Sequence, residues 1–348
     1  MIEDIRNYTL AELEARFKAV GIQPYRARQV FEWLYKSGVE DFSLMSNIPR
    51  ELREKLGEYF VIEAPKIEEI ETSTDLTQKF LFRLKDGSFI ESVSIPSKSR
   101  LTLCLSTQVG CRFACAFCAS GSLGFKRNLE VSEILAQFIA MRKNVPQETV
   151  SNVVFMGVGE PLDNYENTLK SIRIMNSEFG IRLGIRKMTV STSGLASAIE
   201  RLSKEGLQVE LSVSLHAATD EKRSSILPVN KRYPLKDLIK AVRAYIVATK
   251  RKVTFEYVLL GGYNTTVEDA ENLSKLMRGL NARVNLIPYN ISQSRLNFNQ
   301  PTKLEVLFFK SYLTKKGIDV TLRMPRGSDI AAACGQLVAK RRNAAGSG

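Results

Sequence analysis

Apolar residues recur every three or four positions from Asn7 to about Leu56, with Leu10, Leu13, Phe17 and Val20 on one stripe and a second periodic stretch from Val30 to Tyr35. Residues at that spacing share one face of an α-helix, so a small helical N-terminal region is expected. It contains Trp33, the chain's single tryptophan, which is expected to anchor the core of a short bundle, with Arg26 and Arg28 nearby as candidates to face a polyanionic partner. From Lys79 to Val93 the pattern changes to alternation, KFLFRLKDGSFIESV, with Asp86-Gly87 between two β-rich runs. The pair predicts a hairpin closed by a tight type I′ turn. Short apolar runs then alternate with helical segments, at Leu101–Leu105, Asn152–Met156, Lys187–Val190, Val209–Leu215, Thr254–Leu259 and Val284–Ile287. Six such strands over about 190 residues argue for βα units around a parallel sheet, and they fall short of the eight units of a closed barrel. An α/β partial barrel is therefore expected, with functional residues on the loops after the strand C-termini.

The pattern divides the chain into a helical N-terminal domain (1–60), a linker with the hairpin (61–100), a barrel core (101–340) and a tail (341–348) read as flexible. The whole has 348 residues, 44% hydrophobic and 25% charged, which excludes disordered and fibrous classes. No apolar run approaches the ~18 residues of a membrane span, and MIEDIRNYTL lacks the basic and apolar segments of a secretory leader, so a cytoplasmic protein that avoids membranes is expected. In a reducing compartment, clustered cysteines point to metal binding or chemistry more than to disulfides. The 50 Lys+Arg against 37 Asp+Glu leave a net charge of +13, which suits a nucleic acid partner but also fits a merely basic soluble enzyme.

The first barrel strand runs into Cys111-x3-Cys115-x2-Cys118. Three thiolates on one tight loop would leave one iron of a four-iron, four-sulfur cluster without a protein ligand, which is where chemistry can occur. A zinc site would want a fourth ligand at comparable spacing; Cys104 lies seven residues upstream and the single histidine, His216, is far along the chain. Buried structural cysteines are a poor account of three thiols within eight residues. The spacing, with Phe117 before the last cysteine, resembles the radical S-adenosylmethionine (SAM) superfamily. That resemblance implies that the open iron chelates SAM and that the reduced cluster cleaves it to a 5′-deoxyadenosyl radical.

Further motifs follow the later strands in turn. Gly157-Val158-Gly159-Glu160-Pro161 would let backbone approach a ligand closely and offers a carboxylate to an ammonium group. Ser191-Thr192-Ser193-Gly194, Ser214-Leu215-His216 and Asn290 could each be turn or capping chemistry on their own. Their common position makes Gly159, Glu160, Ser191, Ser214, Leu215, His216 and Asn290 candidate SAM contacts. A lone histidine is more often structural than catalytic, and His216 is counted as a contact because its motif matches the superfamily.

Cys104 and Cys334 remain, and isolated cysteines flanked by apolar residues are usually inert. Their surroundings change that reading. TLCLSTQVGC, MGVGEPLDN, VSTSG, SLHA, NLIPYN and RGSDIAAACGQL follow one another between residues 102 and 337. The series resembles the radical-SAM adenine methyltransferases that act on large-subunit ribosomal RNA. The resemblance extends to the helical N-terminal region and implies an RNA-binding role for it. It also implies two SAM per turnover: one methylates Cys334, and the other yields the radical that activates the S-methyl group for addition to adenine. Cys104 would then resolve the RNA adduct as a disulfide with Cys334, and Glu91 would accept the ring proton, a role Cys104 could also fill. An external electron donor and a disulfide reductant are implied partners, along with 23S rRNA and tRNA, for a monomeric enzyme. Pro161 and Arg326-Gly327 resemble the carbon-2 branch more than the carbon-8 branch of antibiotic resistance. Two alternatives stay open: carbon-8 methylation, and a non-catalytic iron–sulfur protein that binds RNA or senses redox state, which would need neither Cys104 nor Cys334.

Overall fold

The computed structural model describes residues 2–145, 149–291 and 298–337, so the 341–348 tail and the last residues assigned to the barrel core lie outside the described residues. A two-residue strand β1 (Glu3–Asp4) is followed by helices α1 (Leu10–Ala19), α2 (Tyr25–Glu32) and α3 (Arg50–Tyr59), and β1 pairs in parallel with β2 (Phe60–Val61). Thr9 and Glu12 close a capping box on α1, which satisfies amide groups that the first helical turn cannot. The buried face carries Leu13, Phe17, Val30, Phe31, Leu34 and Tyr35. Trp33 does not anchor this core. The chain leaves α2 through a π turn, Trp33–Ser37, which points Leu34 and Tyr35 inward and leaves Trp33 at the margin, its indole N–H donating to Asn47 Oδ1 at 2.5 Å.

Four antiparallel strands come next: β3 (Lys66–Thr72), β4 (Gln78–Arg83), β5 (Phe89–Ser97) and β6 (Arg100–Cys104). The expected hairpin is β4–β5, but its turn differs. Leu84 N–H donates to Ser88 O across a three-residue loop, and only Gly87 has positive φ, at 78°, whereas a type I′ turn needs two such residues. Strand β3 escaped the sequence pattern because a bulge between Ile67 and Glu69 breaks its alternation.

The ribbon β7 (Gln108–Gly110) and β8 (Phe125–Asn128) brackets the cysteine loop. Helix α4 (Val131–Asn144) then leads into β9 (Val150–Phe155), and the βα alternation continues. It runs through α5 (Tyr165–Asn176), β10 (Met188–Thr192), α6 (Ala196–Leu202), β11 (Glu210–Ser214), α7 (Asp220–Ile226), α8 (Leu235–Thr249) and β12 (Val253–Leu259). It ends with α9 (Val267–Met277), β13 (Ala282–Pro288), α10 (Lys303–Lys315) and β14 (Asp319–Leu322). One ten-stranded sheet in the order β14-β13-β12-β11-β10-β9-β6-β5-β4-β3 joins barrel and meander. The six expected parallel strands are present, and β14 is a seventh. It was illegible because it is a short edge strand whose Asp319 and Thr321 are exposed and whose Val320 and Leu322 are only half-buried. Among the described residues no helix is long and apolar enough to cross a membrane.

The meander positions the C-terminal loop. Cross-strand partners share a face of the sheet, so the pairs Lys79–Val93, Leu81–Glu91 and Val93–Cys104 put Lys79, Glu91 and Cys104 on one side. Ala332 and Leu337 from the loop that carries Cys334 pack there against Val93, Cys104 and Val158. Polar contacts fix the start of that loop: Ser73 Oγ donates to Asp329 Oδ1 at 2.6 Å, Gly327 N–H to Asp75 Oδ2 at 3.3 Å, and Lys79 Nζ to Ile330 O at 2.7 Å. Buried Lys79 also pairs with Glu71 at 2.8 Å and with buried Glu91 at 3.7 Å. Removing the cation weakens the pairing of two carboxylates and takes a donor from the Ile330 carbonyl, so Lys79→Met should lower unfolding stability by about 1–3 kcal/mol in urea denaturation. A loss below about 0.5 kcal/mol, the level of an ordinary surface change, would contradict this account.

Candidate active site

A cavity of about 1050 Å³, measured out to its open mouth, lies at the C-terminal ends of the parallel strands. Cys111, Cys115, Cys118, Gly159, Glu160, Ser191, Ser214, His216, Asn290 and Cys334 all line it. Cys104 lines a smaller adjoining cavity, and Cys334, Asn290, Met156 and Arg323 line both. Two sequence-predicted residues stand apart. Leu215 is fully buried in the core, and its carbonyl accepts from Arg223 Nε at 3.2 Å. Glu91 lines neither cavity; it lies on the same face of β5 as Val93 and Ile95, which line the smaller one.

The cysteine loop is anchored at several points. Cys111 N–H donates to Gly124 O at 2.9 Å, Ala116 N–H to Ile226 O at 2.9 Å, and Ala119 N–H to Gly335 O at 2.7 Å. That last bond ties the loop to the residue after Cys334, and Ser120 Oγ adds a bond to Leu337 O at 2.7 Å. Burial pushes the Cys111 thiol up to about 12 and the Cys115 and Cys118 thiols upward too, and the neighbouring cysteines oppose ionisation further. Among the described residues no three His, Cys, Asp or Glu side chains converge on a point suited to a single metal ion. Three separated thiols facing one cavity, with ionisation disfavoured until a cation arrives, suit a polynuclear cluster with one thiolate per iron.

Glu160 is buried, and burial raises its carboxyl above the usual range although two backbone amides favour the charge. Those amides fix its direction: Ser193 N–H donates at 2.7 Å and Leu162 N–H at 3.1 Å. Among the described residues neither Lys nor Arg is paired with it. The Ser193 hydroxyl beside it is buried and forms no well-made hydrogen bond with the protein. A buried carboxylate that, among the described residues, neither Lys nor Arg neutralises fits a ligand that brings an ammonium group, as SAM would. Gly159 has φ 106°, and a Cβ there would meet Gln108 Cβ at 2.6 Å. The glycine is therefore required by close approach of β7, not by the ligand alone; Gln108 in turn accepts from Glu160 N–H at 2.9 Å.

His216 adopts φ 58°, accepts from Val258 N–H through Nδ1 at 3.0 Å, and meets Phe117 edge-on at 4.7 Å between centroids. Burial first, and the nearby Arg223 charge second, depress its imidazole to about 3. It is thus neutral with its proton on Nε2, a donor. Arg223, fully buried, was missed by sequence reasoning. It donates to Ser193 O at 2.6 Å, Ser214 O at 3.1 Å and Asn230 Oδ1 at 2.7 Å, so one guanidinium joins the loops after β10 and β11. Nothing in its local sequence, EKRSSI, marks it. Arg323 was missed likewise, since its strand was.

The Radical SAM superfamily matches residues 105–277, and the ribosomal RNA large subunit methyltransferase N-terminal domain matches residues 3–62. A Geobacillus kaustophilus protein named probable dual-specificity RNA methyltransferase RlmN is 46% identical over 343 residues, 98% of this chain and 94% of the relative. The Pelobacter propionicus dual-specificity RNA methyltransferase RlmN is 45% identical over 337 residues, 97% of this chain and 96% of its own. The crystal structure of a radical SAM methyltransferase from Sphaerobacter thermophilus aligns with TM-score 0.93 and 44% identity, over 97% of this chain and 100% of that one.

The chain's one histidine permits a clean pH test. Between its ordinary value of 6.5 and about 3 the unfolded chain binds a proton that native His216 refuses, so native stability falls as pH is lowered. From pH 6.5 to 5 the wild type should lose up to about 1.4 kcal/mol per pH unit relative to His216→Gln, read from urea denaturation at each pH. Parallel curves for the two proteins would show that the imidazole is not held neutral.

Proposed function

Because the chain belongs to the RlmN family of radical SAM RNA methyltransferases, we propose that it methylates carbon-2 of an adenosine in 23S rRNA, and of the adenosine beside the anticodon in tRNA, by way of S-methylated Cys334. The observation that carries the reading is that Cys334 lines both the cavity of the three-cysteine loop and the cavity of Cys104. A binding or sensing protein has no use for that arrangement.

Cys111, Cys115 and Cys118 would hold a four-iron cluster, which would supply the electron for reductive cleavage of SAM. Glu160 would receive the SAM ammonium, with Gly159, Ser191, Ser214, Asn290 and the Nε2–H of His216 as the further cavity residues offered to SAM. Leu215 serves from the core by fixing Ser214 and His216 on either side of it. The Cys334 thiol, exposed to the cavity, accepts a methyl group by direct displacement. Carbon-2 of adenine is electron-poor and has no lone pair to attack SAM itself, which is why a cysteine must carry the methyl group. Glu91, on the face of the sheet that Cys104 shares, accepts the ring proton, with Cys104 the alternative acceptor. Cys104 then attacks the Cys334 sulfur and frees the product, leaving a disulfide for an external reductant. The positive net charge and the exposed Tyr25 and Arg28 of the N-terminal helices support RNA binding through phosphate and base contacts.

Digestion of 23S rRNA and tRNA treated with reconstituted enzyme, SAM and reductant should yield 2-methyladenosine. 8-Methyladenosine, or no methyladenosine, would overturn the assignment. Wild type should carry about four irons per chain, and Cys115→Ala far fewer; a full complement in that variant would remove it from the ligand set.

A further inference from the structure

Arg323 directly follows β14, and its N–H donates to Leu286 O at 2.9 Å, which extends the strand by one residue. Its guanidinium lines both cavities, between the cofactor side and the Cys104–Cys334 side. Its hydrogen bond is to a thioether, Nη1 to Met156 Sδ at 3.9 Å. Glu256, the carboxylate whose charge reaches it, is held by Ser212 and Asn285 at 2.7 Å each. Among the described residues no carboxylate forms an ion pair with Arg323. Cations in such settings are rarely left unpaired, and one that faces reactive groups marks where negative charge develops.

The thiols are what it faces. Met156, whose side chain meets the guanidinium, also directs its backbone amide at the Cys104 sulfur. The strands beside Cys104 present Val93 and Val154, and the C-terminal loop presents Ala332. The titratable and charged groups that act on Cys104 are Cys334 and Arg323, while Glu91 and Lys79, farther along the same face, pair with each other. Burial pushes the Cys104 thiol up to about 12, Cys334 adds to that, and Arg323 works in the opposite direction. Yet a resolving cysteine must act as a thiolate.

We propose that the Arg323 guanidinium is the counter-charge for the Cys104 thiolate in the step that releases methylated RNA, a role that rests on the reading of Cys104 as the resolving thiol. In that step the Cys104 proton passes to water, and the thiolate pair forms a bond to Cys334 Sγ. The bond from that sulfur to the methylene on carbon-2 breaks, its electron pair goes to the methylene carbon, and a proton completes the methyl group. The two sulfurs are oxidised to a disulfide and the carbon is reduced, with no other reactant. Arg323 thus acts through Cys104 in this step, which is read separately from the earlier methylation of Cys334, whose sulfur the guanidinium also faces.

The test follows decay of the RNA–protein adduct in iron-loaded enzyme, on denaturing gels and by mass spectrometry of the Cys334 peptide. At pH 7.5 Arg323→Met should clear adduct about tenfold or more slowly than wild type, and Arg323→Lys, which keeps the charge, within about threefold. Raising the pH to 9 should speed the Met variant, because each unit repopulates the thiolate about tenfold. Iron content equal to wild type shows that a variant is folded; Arg323→Gln replaces the Met variant if that one fails to load, with the same slow clearance expected. Clearance at the wild-type rate in a neutral variant, or a Lys variant as slow as the neutral one, overturns the proposal. Cys104→Ala run in parallel should hold the adduct. If it instead frees product, the disulfide reading itself fails, and the role of Arg323 falls with it.

Discussion

The proposed passage of one methyl group among several sulfur centres requires those centres to be fixed around a single space, and the Cys334 loop meets that constraint. The loop has little regular structure of its own, so it is held from both sides. Before Cys334, the turn between β3 and β4 grips Gly327 and Asp329, and Lys79 of β4 grips Ile330. After it, the cysteine loop grips Gly335 and Leu337. Between those grips the loop buries Ala332 against Val93 and Cys104. The meander is therefore part of the site rather than an appendage, and its attachment to the barrel sheet through β5 and β6 fixes Cys104 relative to Cys334.

Charge in the cavity follows the same logic of incompleteness. Glu160 and an unpaired guanidinium are each costly to bury alone, and a protein without ligands would gain by replacing them with apolar groups. Backbone amides hold Glu160, at Ser193 and Leu162, and His216, at Val258, while the Arg223 side chain joins the surrounding loops. Such preorganisation costs native stability and supplies it back when charged ligands bind. The neutral His216 belongs to this scheme as a donor that adds no charge of its own.

The legible parts of the sequence were those whose signal is local. The three-cysteine spacing, the strand-end motifs and the six central strands depend on neighbours a few residues apart, and the cavity gathers all but Leu215 of the proposed cluster and SAM residues. Leu215 sits between two lining residues, but the backbone at the end of β11 turns its side chain into the core. The illegible parts were long-range. Strand β14 has too few buried residues to stand out, β3 hides its alternation behind a bulge, and Arg223 and Arg323 look like surface cations until the strands around them are in place. Glu91 was identified by resemblance, while its partner Lys79, twelve residues away, became visible only through strand pairing.

In the proposed reaction the Cys334 methyl group is the carbon that reaches RNA, and its hydrogen is removed inside the shared cavity. Enzyme loaded with trideuteromethyl groups at Cys334, then supplied with unlabelled SAM, RNA and reductant, tests this in one turnover. The expected products are 5′-deoxyadenosine carrying one deuterium and methyladenosine retaining the other two. Unlabelled deoxyadenosine, or a product methyl group with three deuteriums, would contradict it.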